Sequence, residues 1–210
     1  MKAFLILLTG ILWTALAYSQ PGKQGDVIVN NANTYLNDYT FLTQNANAGD
    51  LILHISNNGF TTNNVNYPLE VGDLLLVIQM QGAELLGNVN DISWGEVLNY
   101  HNCGNYEFLE VLSVPNPSQI ELACPVVNNY SSQGNTQVIR VPRINNLTIN
   151  NGGEVTCPAW NGQTGGVVAL EVLGNTVMNA NGAIEVSGMG FRGGQMDNAA
   201  NYGAVDFAYQ

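Results

Sequence analysis

The stretch Gly188 to Gly194, GMGFRGG, contains the spacing G-x-G-x-x-G. In dinucleotide-binding enzymes this spacing lets a loop cradle a pyrophosphate, but the loop must follow a strand and open a helix. Residues 183–186 suit a strand, whereas residues 193–205 have no apolar stripe at helical spacing. We therefore expect no cofactor and predict a structural corner in the chain. The corner residues are Gly188, Gly190, Phe191, Arg192, Gly193 and Gly194, with Phe191 covering the apolar interior and Arg192 binding backbone carbonyls.

Glu171 and Glu185 are the acids whose placement best suits work on polysaccharides. Each alternates with apolar neighbours, in ALEV and AIEV, so both are expected to point outward from strands. A glycosidase needs two carboxyl groups roughly 5 to 9.5 Å apart. Solvated surface acids are the favoured interpretation, and a carbohydrate site of Glu171, Glu185 and Trp160 is the weaker alternative. The other aromatic residues considered for sugar stacking, and favoured as sheet core or rim residues, are Trp94, Tyr100, Tyr106, Tyr130 and Tyr202.

The cysteines suggest a disulfide rather than a metal site. Cys103 and Cys124 bracket a pattern of strand, turn and strand, so a hairpin is expected to bring them together as a disulfide. Cys157 is left buried, free or paired elsewhere. Because neither His54 nor His101 lies at ligand spacing from a cysteine pair, we expect no bound metal.

The first residues of the chain predict export from the cell, and its net charge limits the possible partners. Residues 1–19 have the basic start, apolar run and small residues of a Sec signal peptide. The run is too short to span a bilayer, so we expect a secreted or outer-surface protein with no membrane span after cleavage. The net charge of −11 repels phosphate backbones, which excludes nucleic acid as a natural partner.

The elements that carry these residues are predicted to be all-β. Asparagine and glycine are abundant, which favours many tight turns over long helices. Residues 20–143 are expected to form a β-rich domain, either a sandwich or a small barrel. From residue 144 to 210 the chain matches itself at an offset of 29, which predicts the start of a right-handed parallel β-helix, or solenoid. The matched pairs are Asn146 with Asn175, Ile149 with Met178, Asn150 with Asn179, Gly153 with Gly182, and Val155 with Ile184.

Several segments resemble one family. The segments are GDLLLVIQMQGA (72–83), GNYEFLEV (104–111), QVIRVPR (137–143), PAWNGQTGGVVAL (158–170) and IEVSGMGFRGG (184–194). Together they are similar to the N-terminal region of large secreted surface proteins of Bacteroidota, which are gliding-associated or adhesin-like β-helical cargo of type IX secretion. The resemblance covers most of the mature chain and implies no catalytic residues. Because the sorting domain of that family is missing here, we expect these residues to be the front of a longer protein, or the product of a truncated gene.

A non-enzymatic, secreted cell-surface protein is therefore the favoured function, in which a solenoid scaffold displays adhesin-like or gliding-related surface contacts. Its expected partners are cell-surface or extracellular polysaccharide, or other surface proteins. Two alternatives stay open. One is a secreted β-helical polysaccharide lyase or glycoside hydrolase, and the other is a carbohydrate-binding module that uses the aromatic residues.

Overall fold

The computed structural model of the protein describes residues 21–56, 60, 68–87 and 91–191, so the predicted signal peptide lies outside this part. The described chain is all-β, as predicted, with one short 3-10 helix at Ser132–Gly134. In chain order the strands are β1 (Val27–Val29), β2 (Thr34–Tyr35), β3 (Asp38–Phe41), β4 (Ile52–His54), β5 (Leu74–Ile78), β6 (Glu84–Leu85), β7 (Val97–Asn99), β8 (Tyr106–Asn116), β9 (Gln119–Leu122), β10 (Gln137–Val141), β11 (Arg143–Ile144), β12 (Leu147–Ile149), β13 (Glu154–Thr156), β14 (Glu171–Val172), β15 (Thr176–Met178) and β16 (Ala183–Ile184).

Three passages of the chain pair in parallel, one above another. We call residues 24–35 the first layer, residues 143–156 the second and residues 171–184 the third. β1, β12 and β15 form one parallel sheet, β2, β13 and β16 form another, and β11 pairs with β14. The interior between these sheets is apolar, and its fully buried side chains include Ile144, Ile149 and Val155.

The pairing of the second and third layers follows the 29-residue offset. Ile149 is the register partner of Met178, and Val155 is the partner of Ile184, both as the sequence predicts. Asparagines also bond between layers in a ladder: the Asn179 side chain donates to Asn150 Oδ1 at 2.8 Å, and that of Asn150 donates to Asn30 Oδ1 at 2.7 Å. The ladder therefore extends through all three layers, on the exposed side of the strands.

The remaining large element is a curled antiparallel sheet in the order β3-β10-β5-β8-β9-β4. Its two edge strands approach each other at one end, where Leu42 bridges to Ile55 and the Thr43 amide donates to the His54 carbonyl at 2.9 Å. The sheet is thus a curled half-barrel. Its concave side is filled by a large apolar cluster that includes Leu75, Ile120 and Val138, all fully buried.

The curled sheet is inserted between the first and second layers. It spans residues 38–141, whereas β1 and β2, which precede it, pair with β12 and β13, which follow it. The predicted boundary between residues 143 and 144 therefore does not separate two sets of strands. The reason is distance along the chain: Asn30 meets Asn150 at a separation of 120 residues, far from the 29-residue step that reveals the repeat.

The outer side of the curled sheet packs against the second layer. Leu76 and Ile139 on that side contact a cluster that includes Cys157 and the chain around Val167 and Val168. The insertion is therefore fixed to the parallel layers by an apolar contact, and we call this region, with the charged groups beside it, the junction.

Candidate functional site

Two buried arginines occupy the passage from the curled sheet to the second layer. Arg140 lies on β10 and is 5% exposed, and Arg143 lies on β11 and is 3% exposed. Only Pro142 and Val141 separate them in sequence. A buried guanidinium is costly unless anions and hydrogen-bond acceptors surround it, so each arginine defines a cluster of partners.

Arg140 binds the carboxylate of Asp73, which is fully buried. The Arg140 Nη2 atom lies 2.8 Å from Asp73 Oδ2, and Nη1 lies 3.9 Å from Asp38 Oδ2. Asp38 is the register partner of Arg140 on β3, so the sheet itself aligns this contact. Lys23, just before the first layer, places Nζ 2.8 Å from Asp73 Oδ1 and 2.8 Å from the Val71 carbonyl oxygen. Two cations and two buried carboxylates thus neutralise each other across the junction.

Arg143 joins the curled sheet to the third layer. Its Nε and Nη2 atoms donate to the two oxygens of Glu171, a bidentate geometry that favours a planar guanidinium. Its Nη1 atom donates to Glu110 Oε2 on β8 at 2.9 Å and to the Gly72 carbonyl at 3.2 Å. Hydrogen bonding to Glu171, followed by that to Glu110, raises the pKa of the Arg143 guanidinium.

This arrangement stabilises charge but is poorly suited to acid–base catalysis. Glu110 and Glu171 flank a single guanidinium, which occupies the space where a glycosidic bond has to lie between two catalytic carboxyls. The cluster is therefore a structural cross-link between β8, β11 and β14.

The three residues of the predicted carbohydrate site do not form a common site. Glu171 forms an ion pair with Arg143. It is therefore not the solvated surface acid that the sequence favours, and its carboxylate is already engaged within the protein. Glu185 follows β16, in a different sheet, and accepts a hydrogen bond from the Ser187 amide at 2.7 Å. Hydrogen bonding by the Ser187 side chain, and then by its amide, lowers the pKa of Glu185. Trp160 is only 4% exposed and packs against Phe191 with ring centroids 4.8 Å apart, so its face is covered.

The glycine-rich stretch forms a turn in the part that the structure describes. The Met189 amide donates to the Val186 carbonyl at 3.1 Å, and Gly188 has a φ of 73°, which a residue with a side chain rarely adopts. Phe191 contacts the buried Trp160 in an edge-on geometry, and its role in covering the apolar interior stays a prediction. Arg192, Gly193 and Gly194 lie outside the described residues, so the clamp by Arg192 remains a prediction.

The predicted disulfide between Cys103 and Cys124 is not formed, and all three cysteines are free thiols. The hairpin exists, but its register separates the two residues: the Ala123 amide donates to the Glu110 carbonyl, so Cys124 lies near residue 109 of β8. Cys103 lies six residues before residue 109, which corresponds to roughly 20 Å along a strand. Cys157 is fully buried, and burial raises the pKa of its thiol.

Sequence reasoning named Tyr106 but overlooked Phe108, which lies on the same exposed aromatic surface. Tyr106 and Phe108 alternate on the outer face of β8 and are 61% and 54% exposed; we call this pair the β8 aromatic face. Their register partners on β5 are Ile78 and Leu76, which lie on the same outer face and belong to the apolar cluster that contains Cys157. Trp94 and Tyr100 are also more than half exposed, whereas Tyr130 is buried and Tyr202 lies outside the described residues. Phe108 escaped notice because alternation within YEFLEV gives no sign of which face is covered.

No group of three or more His, Cys, Asp or Glu side chains among the described residues is arranged to hold a metal ion. The same residues contain no helix that is long and apolar enough to cross a bilayer.

Comparisons with known proteins leave the family open. No protein-family model matches the chain, and no curated protein matches it. Three phage tailspikes of known structure align with it, each at 12% identity: Gp54 of Acinetobacter baumannii bacteriophage AP22, solved with A. baumannii capsular saccharide (TM-score 0.34, 74% of this chain), gp61 of Pseudomonas phage phi297 (0.35, 74%) and gp49 of Pseudomonas phage LKA1 (0.32, 75%). The chain spans about a quarter of each tailspike, 26%, 25% and 23%. Scores at this level do not establish a common fold.

Proposed function

We propose that this chain is a secreted, non-enzymatic protein of the outer cell surface, in which the three layers begin a right-handed parallel β-helix and the curled sheet is carried as an insertion. The observation that carries the proposal is the in-register parallel stacking of the three layers around an apolar interior. Such a stack lengthens as further layers are added, and it can hold binding surfaces away from the point where the protein is attached. This is the role of a structural scaffold. Export through a Sec signal and kinship with Bacteroidota surface proteins belong to the same proposal.

The carboxylates that an enzyme would need support the structural interpretation. Asp73 and Asp38 are buried with Arg140, and Glu110 and Glu171 are engaged with Arg143. The turn aspartates are also used internally: Asp50 Oδ2 accepts the Asn47 amide at 2.7 Å. These groups hold the backbone and the junction together, so a polysaccharide lyase or hydrolase built on them is disfavoured.

A second candidate function is polysaccharide binding, favoured by the β8 aromatic face. Two aromatic residues at positions i and i+2 of a strand lie on the same face and together form an apolar surface about as long as two adjacent sugar rings. More than half of each residue is exposed, as it is for Trp94 and Tyr100, and the pair differs from these two in lying on one face of one strand. On this proposal the scaffold contacts a saccharide by stacking and leaves it intact.

The experiment that separates these functions uses the purified protein from residue 20 onward. It is incubated with neutral and acidic polysaccharides, and new reducing ends and unsaturated products are measured. We expect none above a buffer control. Cleavage that disappears in Glu171→Gln or Glu185→Gln would refute the structural proposal in favour of an enzyme.

Binding is measured in the same preparation by retention on immobilised polysaccharides. The double variant Tyr106→Ala and Phe108→Ala is compared with Trp94→Ala, which removes an equally exposed aromatic residue outside the β8 aromatic face. Because stacking of one ring contributes about 1 kcal/mol, loss of both rings is expected to weaken binding at least tenfold, with Trp94→Ala unchanged. An equal loss in both variants contradicts a specific role for the β8 aromatic face.

A further inference from the structure

The outer face of the curled sheet is covered over only part of its width. Leu76 on β5 and Ile139 on β10 pack against residues 167–169 and are 6% and 0% exposed. On the next strand, β8, the same face carries Tyr106 and Phe108, each more than half exposed. The covering chain therefore stops short of β8 and leaves the β8 aromatic face open beside it.

The β8 aromatic face ends at the charged group of Arg143, Glu110 and Glu171, which we call the Arg143 cluster. Phe108 pairs with Leu76, and Glu110, two residues later on β8, pairs with Leu74. Both partners belong to the apolar contact on the outer face. The Phe108 ring and the Glu110 carboxylate therefore leave the same face of the sheet, about 7 Å apart along the strand.

The two carboxylates of the Arg143 cluster are partly accessible. The Glu110 side chain is 20% exposed and that of Glu171 is 33% exposed, whereas the Arg143 side chain between them is 4% exposed. A carboxylate has about four lone-pair sites, so bonds to one guanidinium do not use them all. The accessible groups at the end of the β8 aromatic face are therefore hydrogen-bond acceptors.

The charges of the Arg143 cluster restrict the ligand that fits. Its two carboxylates exceed its one guanidinium by a single negative charge, and the other basic side chains of the described residues, Lys23 and Arg140, are paired with Asp73. An anionic ligand is therefore repelled. A hydroxyl group, in contrast, donates a charge-assisted hydrogen bond to a carboxylate. Hydroxyl groups around an apolar ring face are the chemistry of a neutral sugar.

We propose that the β8 aromatic face and the Arg143 cluster form one binding site for a neutral saccharide, in which a sugar ring stacks on Phe108 and its hydroxyl groups donate to Glu110 and Glu171. This inference rests on the polysaccharide binding proposed above, and it adds the residues that orient the sugar. Arg143 is a positioning residue, because its bonds to both carboxylates hold the acceptors in place before the ligand binds. Such preorganisation reduces the ordering cost of binding.

Substitution of Glu110 tests the acceptor directly. Glu110→Gln conserves the size of the side chain and an oxygen for Arg143, but it removes the charge that strengthens a bond from a hydroxyl group. Glu107→Gln is the matched control, because it removes the same charge from the same strand. Glu107 pairs with Val77 of the concave cluster, so it lies on the opposite face.

Affinity is measured by gel electrophoresis through soluble neutral polysaccharides, namely dextran, a β-1,3-glucan and a galactomannan. We expect Glu110→Gln to weaken binding of the retained polysaccharide about tenfold, and Glu107→Gln to leave it within about twofold. The carboxymethylated form of the same polysaccharide is anionic and should bind the wild-type protein at least about tenfold more weakly at low ionic strength. Equal binding of the two forms contradicts the charge argument.

O-Methylation of the retained polysaccharide gives a test that leaves the protein unchanged. Methylation removes the hydroxyl donors and keeps the apolar ring faces. We expect it to weaken binding about tenfold in the wild-type protein and less than about threefold in E110Q, because the acceptor for those hydroxyl groups is already impaired in the variant. An equal loss in both proteins overturns the role of Glu110.

The outcomes separate this inference from the function on which it rests. If the double variant Tyr106→Ala and Phe108→Ala loses binding and Glu110→Gln does not, the β8 aromatic face binds saccharide and the assignment of the carboxylates is wrong. If the wild-type protein retains no polysaccharide of the panel, polysaccharide binding is overturned together with this inference. Sedimentation of the protein alone completes the test: a dimer that the double variant dissociates would assign the face to a second copy and overturn both.

Discussion

Replacing Asp73 with asparagine removes the negative charge on which the junction depends while conserving the size of the side chain. Asp73 is fully buried and contacts two cations at 2.8 Å, Lys23 on one oxygen and Arg140 on the other. It also accepts the Glu70 amide at 2.9 Å, a turn contact that the asparagine oxygen can still make. The substitution therefore isolates the ionic contribution from the turn.

The expected loss in the free energy of unfolding depends on which of the two cations can become solvated when Asp73 is replaced. Removing one member of a buried ion pair costs about 3 to 5 kcal/mol, because the other charge stays buried. Arg140 is held inside the sheet at 5% exposure, whereas Lys23 is partly exposed and has Glu70 within 3.5 Å. Since only one of the two cations is trapped, we expect the lower end of the range, about 3 kcal/mol.

Urea unfolding of Asp73→Asn and of Asp50→Asn measures this loss against a matched control. Asp50 occupies the same Gly-Asp turn context and accepts the Asn47 amide through its side chain, but it forms no ion pair among the described residues. We expect the Asp50 variant to lose at most about 1 kcal/mol, and the Asp73 variant to unfold at a urea concentration lower by about 1 M or more. The reasoning is refuted if the two variants lose equal free energy.

Three further substitutions test the stacking of the layers and the two buried tyrosine hydroxyls. In Gly153→Ala the new Cβ atom would lie 2.4 Å from the Val29 carbonyl oxygen of the first layer, so we expect a loss of about 1 to 3 kcal/mol by thermal unfolding; Gly190→Ala, with open space around it, should lose less than 0.5 kcal/mol, roughly the surface value, and equal losses contradict the stacking argument. Burial raises the pKa of Tyr39 and of Tyr130 well above the unfolded value of about 10. Because only the unfolded state then releases these protons, the contribution of the two hydroxyls to stability should be constant below about pH 10 and fall above it. Each Tyr→Phe variant should reduce that slope by about 1.4 kcal/mol per pH unit. Tyr130→Phe should cost little at pH 7, because its buried hydroxyl forms no well-aligned hydrogen bond, although Asn128 and Glu107 lie near it, whereas Tyr39→Phe loses a bond to a backbone carbonyl; an unchanged alkaline slope in both variants contradicts the burial argument.

The second and third layers were predictable because their relation is short in sequence. A step of 29 residues keeps turn glycines, ladder asparagines and inward apolar residues in phase, so Ile149 with Met178 and Val155 with Ile184 emerge from the sequence alone. Each match records a contact between neighbours in the stack. In this part of the chain the sequence period and the strand register therefore identify the same residue pairs.

The first layer was not predictable by that route. Its strands resemble those of the curled sheet in length and in their Gly-Asp turns, and their partners lie 120 residues away. The Gly-Asp units at residues 25, 49 and 72 suggest one repeated element, yet β1 joins the parallel layers while β4 and β5 join the antiparallel sheet. A turn signal specifies where the chain reverses and leaves the strand's partner undetermined.

The cysteine prediction failed for a related reason. A hairpin aligns residues according to their distance from its turn, and irregular register within β8 and β9 moves that alignment further. Cys124 lies five residues beyond Gln119, where β9 begins, whereas Cys103 lies thirteen residues before Asn116, where β8 ends. Bracketing a hairpin is therefore not sufficient for pairing; equal distances from the turn are needed.

If the chain binds polysaccharide as proposed, the placement of its basic residues affects which saccharides it can bind. After residue 19 the chain has four basic residues, and three of them, Lys23, Arg140 and Arg143, are bound to carboxylates at the junction. The net charge of −11 is therefore presented outward with almost no basic groups among the described surface residues to offset it. An acidic polysaccharide approaching the β8 aromatic face meets repulsion that grows at low ionic strength. Stacking carries no such dependence, so the partner best matched to both features is a neutral polysaccharide.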